Sequence, residues 1–265
     1  MYSIFALAKK YIHYYFTADN GKGHGVHSPF VFDFIKQVKN DRKQYPWYTD
    51  IELIREQLLA DTTLIPVRDF GAGSAVIKTN DRAISKIAAS SLKPKKFARL
   101  FFRIAQYYHP QTMVELGTSF GTSSAYLASG NPNGKLYTLE GAPAIAAIAQ
   151  QNFRKLALSN IELIEGDFAA TFPALLQRLE VIDLAFVDGN HRKIPTLEYF
   201  HALLKKSVDH TILIFDDIHW SEEMEAVWEE IKADAAVTLS IDLFFIGIVF
   251  LSNRFKVKQH YRIQF

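Results

Sequence analysis

The chain has 265 residues, 49% of them hydrophobic and 22% charged, which is enough for one large core with or without a small N-terminal extension. It has no cysteine, which excludes a disulfide framework and a thiolate metal site and leads us to expect a reducing, cytoplasmic setting. The net charge of +2 is uneven, with 17 Lys and Arg against 9 Asp and Glu in residues 1–110 and 13 against 19 in the remainder, but the basic residues are scattered, which reads as solvated surface and makes nucleic acid an unexpected partner.

Residues 2–16 form an aromatic, helical segment with lysines in its middle. Its first reading is a cover for its own domain; a homodimer contact through this N-terminal region and an interfacial membrane helix are the alternatives. No run reaches the roughly 20 apolar residues of a membrane span, and the start lacks the features of a secretory signal. Gly21 to Pro29 is a loop that ends with Ser28 as N-cap and Pro29 as first helical residue. His24 and His27 within it have no acid close by in sequence and read as loop residues rather than ligands. A helix over Phe30–Asn40 should turn Phe30, Phe34 and Val38 inward, and a second follows at about Ile51–Ala60. Asp69-Phe-Gly-Ala-Gly-Ser74 imitates a nucleotide loop, but Pro66 weakens the strand before it and no helical face follows, so a mobile cover over cofactor or acceptor is expected there. Lys93–Lys96 reads as a linker, and Phe97, Leu100, Phe101, Ile104, Ala105 and Tyr108 mark an amphipathic helix.

From residue 112 the pattern alternates. Strands are predicted at 112–116, 135–139, 161–164, 183–187 and 211–215, with helices at 123–129, 143–156, 170–179, 196–206 and 221–232. The strands are almost wholly apolar, as parallel strands covered on both faces should be. Two final runs, 237–242 and 246–251, are joined too tightly for a helical crossover and should form an antiparallel pair at the sheet edge.

The first of these strands leads to Glu115-Leu-Gly117-Thr-Ser119-Phe-Gly121, then to a helix of small residues from about Ser123. The two glycines let the backbone bend sharply, and the amides opening the helix are free donors. A dinucleotide fingerprint would need Gly-x-Gly-x-x-Gly beneath a pyrophosphate, whereas here the spacing is longer and an acid stands two residues before the first glycine. An acid suits a cation. Glu140, closing the next strand, lies where Rossmann-type folds place a carboxylate on ribose hydroxyls.

On these motifs the chain resembles the class I S-adenosylmethionine (SAM) dependent methyltransferases. The resemblance covers about residues 95–255 and implies an α/β fold: a Rossmann-like seven-stranded sheet with an antiparallel last strand, plus a helical N-terminal extension. Residues 1–95 would be that extension and 96–265 the SAM-binding domain. Cofactor contacts are implied for Glu115, Gly117, Ser119, Gly121, Ser123 and Glu140. Asp167 would take the adenine amino group, Phe168 would stack on the ring or offer its amide, and Asp188 would reach the cofactor too. Capping of the next helix is the plainer role open to Asp167.

Ligands of open α/β sheets lie beyond the carboxyl ends of the strands, which brings Asp188, Asp216 and Asp217 to the tips of neighbouring strands. Three carboxylates there repel one another unless protonated, hydrogen-bonded or bound to a cation such as Mg2+, Ca2+ or Mn2+. The segments Asp188-Gly-Asn-His191 and Asp216-Asp-Ile-His-Trp220 are similar to bacterial O-methyltransferases of the catechol type and of the macrocin type, although the catechol type has Asp-Asn where this chain has Asp216-Asp217. That likeness implies a divalent cation on Asp188, Asp216 and Asp217, a small-molecule hydroxyl as methyl acceptor, and His191 with Asp188 as the catalytic pair. His219 is the rival base. A nicotinamide-dependent oxidoreductase, a nucleic-acid methyltransferase and a non-catalytic SAM-binding protein are the competing classes.

Overall fold

The computed structural model describes residues 1–68 and 79–265, so the glycine-rich segment 69–74, expected as a cover, lies outside the described residues. The chain resolves into two compact units, one made of residues 41–178 and the other of residues 1–40 with 179–265. The fold is α/β, with a mostly parallel central sheet that includes an antiparallel strand pair, and it carries an N-terminal helix.

In the unit of residues 41–178, α3 (Pro46–Ala60) precedes a hairpin of β1 (Leu64–Arg68) and β2 (Thr79–Ala83). The expectation that Pro66 weakens a strand is corrected here. Pro66 sits inside β1 of a two-stranded sheet, where a missing amide costs little because no further strand needs it. After α4 (Ile84–Ser91), the amphipathic α5 (Lys95–Tyr108) buries Leu100, Phe101, Ile104 and Ala105 completely. The parallel strands β3 (Thr112–Leu116), β4 (Lys135–Glu140) and β5 (Ile161–Glu165) then alternate with α6 (Thr122–Gly130), α7 (Pro143–Lys155) and α8 (Phe168–Arg178). Every residue of α6 is buried, which explains its run of Ser, Ala, Thr and Gly: only small side chains let neighbouring backbone come this close.

In the other unit, the first helix α1 is Ile4–Thr17. The expected helix over 30–40 begins as α2 (Pro29–Asp33), with Ser28 and Pro29 opening it as expected, then widens into a π-helical turn over Phe34–Lys39. The wider turn aligns Phe34, Ile35 and Val38, all fully buried. The sheet order is β10-β8-β9-β7-β6, with β6 (Ile182–Val187), β7 (Ser207–Asp216), β8 (Leu239–Asp242), β9 (Ile246–Phe250) and β10 (Gln259–Arg262). Helices α9 (Lys193–Leu204) and α10 (Glu222–Ala233) connect these strands. β8 and β9 pair antiparallel as expected, but they do not form the edge: β10 runs parallel to β8 outside it, an additional strand that a polar Gln-His-Tyr-Arg sequence hides.

Candidate functional site

In the unit of residues 41–178, the loop between β3 and α6 is shaped by three left-handed residues, Gly117 (φ 104°), Ser119 (φ 48°) and Gly121 (φ 80°). A side chain at Gly121 would be strained by its φ and would also run into the ring of Phe153. The amides of Gly117 and Thr118 hydrogen-bond to the carbonyl of Leu139 at 3.1 and 3.0 Å, and Asn152 Nδ2 donates to the carbonyl of Phe120 at 3.0 Å. The loop is therefore held from both sides. Gly121 caps α6 with no side-chain acceptor, leaving the opening amides of the helix to a ligand.

Glu115 ends up fully buried next to this loop. Its Oε2 accepts from the hydroxyl of Ser124 and, at 2.7 Å, from Thr138, its partner across the β3–β4 ladder; Thr138 in turn lies 2.5 Å from the hydroxyl of Thr118. Its Oε1 is buried with no hydrogen-bond partner. Burial pushes the Glu115 carboxyl up to about 7, against the pull of Ser123, Ser124 and Thr138, with Glu140 nearby adding repulsion. Glu140 is half-buried and accepts from the amides of Ser119 at 2.8 Å and Ala142 at 2.9 Å, with burial raising its carboxyl as well. A buried, unanswered carboxylate oxygen, an uncapped helix start and a glycine cradle fit a cationic nucleoside such as SAM. Asp167 is exposed and accepts from the amide of Ala169 at 3.0 Å, so its capping role is visible, and Phe168 opens α8 half-buried. Neither Thr138 nor Ser124 figured in the sequence reading. The sequence held part of the signal, a threonine between Tyr137 and Leu139, while its place opposite the acid comes from the strand register.

The second group belongs to the other unit. Asp188 follows β6, Asp216 ends β7, and one ligand atom from each of Asp188, His191 and Asp216 lies within 4.8 Å of the others. Asp216 is buried, while Asp188 and His191 are half-buried. His191 Nε2 is 3.7 Å from Asp188 and 4.0 Å from Asp217. Asp217, expected to share a metal with Asp188 and Asp216, lies against His191 and outside the group of three whose ligand atoms fall within 4.8 Å of one another. Two non-glycine residues here adopt left-handed backbone, Asn190 (φ 55°) and Asp217 (φ 54°), a conformation that costs energy and re-aims a strand-end side chain. The carboxylates of Asp188 and Asp216 suit a divalent cation, with the imidazole of His191 beside them.

His219 is differently placed. Its Nδ1 lies 3.0 Å from Glu225 and its Nε2 2.8 Å from Asp242, and its ring stacks on Phe244. Burial opposes a charge on this ring, but the hydrogen bonds and charges of Asp242 and Glu225 outweigh it and hold the imidazolium. With both nitrogens engaged, His219 is a tie between elements; the imidazole beside the aspartates is His191.

Comparison with known proteins bears on both groups. Residues 114–218 match a family model described as a methyltransferase domain. A catechol O-methyltransferase of Niastella koreensis is 33% identical over 145 residues, covering 53% of this chain and 63% of that protein. A tRNA (guanine-N(7)-)-methyltransferase of Mycoplasma mobile is 30% identical over 132 residues, covering 48% of this chain and 62% of its own length. The chain thus spans a little under two thirds of these relatives. An O-methyltransferase of Bacillus cereus, solved with SAH, superposes with a TM-score of 0.54 at 18% identity over 79% of this chain and 92% of that one, a likeness of fold. With this domain spanning the glycine loop and the aspartate tips, residues 114–218 are similar to a methyltransferase domain, and the chain shares the fold of solved O-methyltransferases.

Proposed function

We propose that the chain moves the methyl group of SAM to a hydroxyl of a small molecule, in the cytoplasm, with a divalent cation of the Mg2+ kind assisting. The observation that carries this reading is the cluster of Asp188, His191 and Asp216 at the strand ends, in a chain whose glycine loop fits the cofactor. When bound, SAM supplies a methyl group made electrophilic by its sulfonium, and a cation lowers the pKa of a hydroxyl it touches. The rest is alignment and proton handling by the chain's own residues. Glu115 would take the ammonium of the cofactor's amino-acid end, Glu140 the ribose hydroxyls, and Asp167 with Phe168 the adenine. Gly117 and Gly121 let the backbone approach, with Ser119 and Ser123 supplying polar contacts from the same loop. Asp188 and Asp216 would hold the cation, and Asp188 would also contribute to cofactor binding. His191, whose ordinary pKa sits near neutrality, removes the acceptor's proton, and Asp217 keeps its ring in place.

The test is thermal unfolding with and without Mg2+. Wild type should shift upward with the ion and Asp216→Asn should not, whereas Asp217→Asn should keep the shift and lose turnover. Absence of any ion-dependent shift in wild type sinks the cation. A second reading, an RNA acceptor, draws on the tRNA-modifying relative; tight heparin retention with a steep salt dependence would favour it.

A further inference from the structure

Helix α1 is apolar on two faces, and only one of them is used. The inner face is anchored by Tyr14, which is buried and donates its hydroxyl to the carbonyls of Asp242 (3.0 Å) and Ile263, and by Tyr11, whose ring meets Phe244 edge-on at 5.1 Å. The outer face carries Ile4 (91% exposed), Phe5 (82%), Phe16 (81%), Ile12 (57%) and Tyr15 (45%). With 3.6 residues per turn, these side chains and the exposed Ala8 fall in one arc of about 120°. Scattered surface apolar residues need no explanation; six in one stripe along a helix do.

The border of that stripe is cationic. Lys9 and His13 stand one step round the helix from Phe5 and Phe16, and with Arg262 of β10 they line a cavity of about 430 Å³ floored by Tyr14, Phe244 and His219. The one carboxylate in its lining, Glu225, is already taken by Lys10 (3.0 Å), the Tyr2 hydroxyl (2.7 Å) and His219 (3.0 Å). Among the described residues no ion pair joins Lys9, His13 or Arg262. Arg262 lies over the ring of Tyr14, which aims it without neutralising it.

We propose that this face docks on an anionic phospholipid surface, with the apolar arc entering the boundary between headgroups and acyl chains and a lipid phosphate seated among Lys9, His13 and Arg262. The two features are complementary to the two layers of one bilayer leaflet: apolar depth, anionic rim. A second copy of the chain fits less well. An antiparallel two-fold pairing of α1 with itself keeps the Lys9 and His13 border on the same side in both copies and sets like charges against each other. Docking requires neither cofactor nor acceptor, so it stands or falls apart from methyl transfer.

The experiment is sedimentation of the full chain with vesicles of phosphatidylcholine alone and of phosphatidylcholine mixed with phosphatidylglycerol. The chain should co-sediment with the mixed vesicles and stay in solution with the neutral ones. Ile12→Asp and Phe16→Asp, at exposed positions that leave the melting temperature in place, should abolish binding, and Lys9→Gln with Arg262→Gln should weaken it by about tenfold or more. Equal recovery with both vesicles, no recovery with either, or unchanged recovery of the aspartate variants overturns the proposal. So does a dimer in light scattering that Ile12→Asp converts to monomer, or phosphate monoesters raising the melting temperature of a chain that no vesicle retains.

Discussion

The two units handle acidic side chains in opposite ways. In residues 41–178 the key acid, Glu115, is sealed from water and surrounded by hydroxyls, with one oxygen left unanswered. In the other unit, Asp188, His191 and Asp217 keep part of their surface in solvent, with left-handed backbone at Asn190 and Asp217, and of the three aspartates Asp216 is the buried one. A sealed carboxylate gives strong, selective attraction to one fixed cation, because a low-dielectric site magnifies both the cost of leaving it unpaired and the gain of pairing it. A half-open cluster can exchange an ion, a proton and a variable acceptor. The contrast is the one expected between a site for an invariant cofactor and a site for the chemistry.

The sharpest way to break this division is to alter one acid in each unit and measure both steps. Asp216→Asn should cut methyl transfer by about 100-fold while leaving SAM affinity, read by calorimetry, unchanged. Glu115→Ala should do the reverse at the first step, weakening SAM binding by more than about tenfold; unchanged affinity would refute the clamp. Next comes pH. The Glu115 carboxyl is raised from 4.5 to about 7 by burial, so the folded chain binds more protons than the unfolded one across that window. Stability from this group is fully present below 4.5 and is lost as pH rises through 7. SAM binding should run the other way, weakening below pH 7 because its ammonium needs the carboxylate, and Glu115→Gln should flatten both slopes. The smallest effect belongs to the loop itself: Gly121→Ala, strained in backbone and crowding Phe153, should cost about 2 kcal/mol in denaturant unfolding.

Much of this was legible in the sequence because apolar periodicity and strand-end acids are local signals. The strands at 112–116 and 246–251 and the helices between them match the observed β3–β9 region to within a few residues, since buried parallel strands declare themselves as short apolar runs. What escaped depended on neighbours distant in the chain. β10 reads as polar coil until β8 supplies its hydrogen bonds, and β1 tolerates Pro66 only because its sheet has two strands. The same holds at the sites. Glu115 was visible as an acid before a glycine, but its hydroxyl cage required the register that sets Thr138 opposite it. His219 was the rival to His191 as base, and only the fold shows Asp242, 23 residues on, and Glu225 at its two nitrogens.

Glu225 answers three side chains at once, Lys10 and Tyr2 from the front of the chain and His219 from the loop after β7, and that loop is fastened again where the Tyr2 amide meets the Trp220 carbonyl at 3.0 Å. Cutting the chain before Ala18 would therefore do more than bare an apolar floor. It would strip the hub of two of its donors and slacken the turn that carries Asp217, so that a trimming meant to improve handling would reach the strand end to which we assign the chemistry.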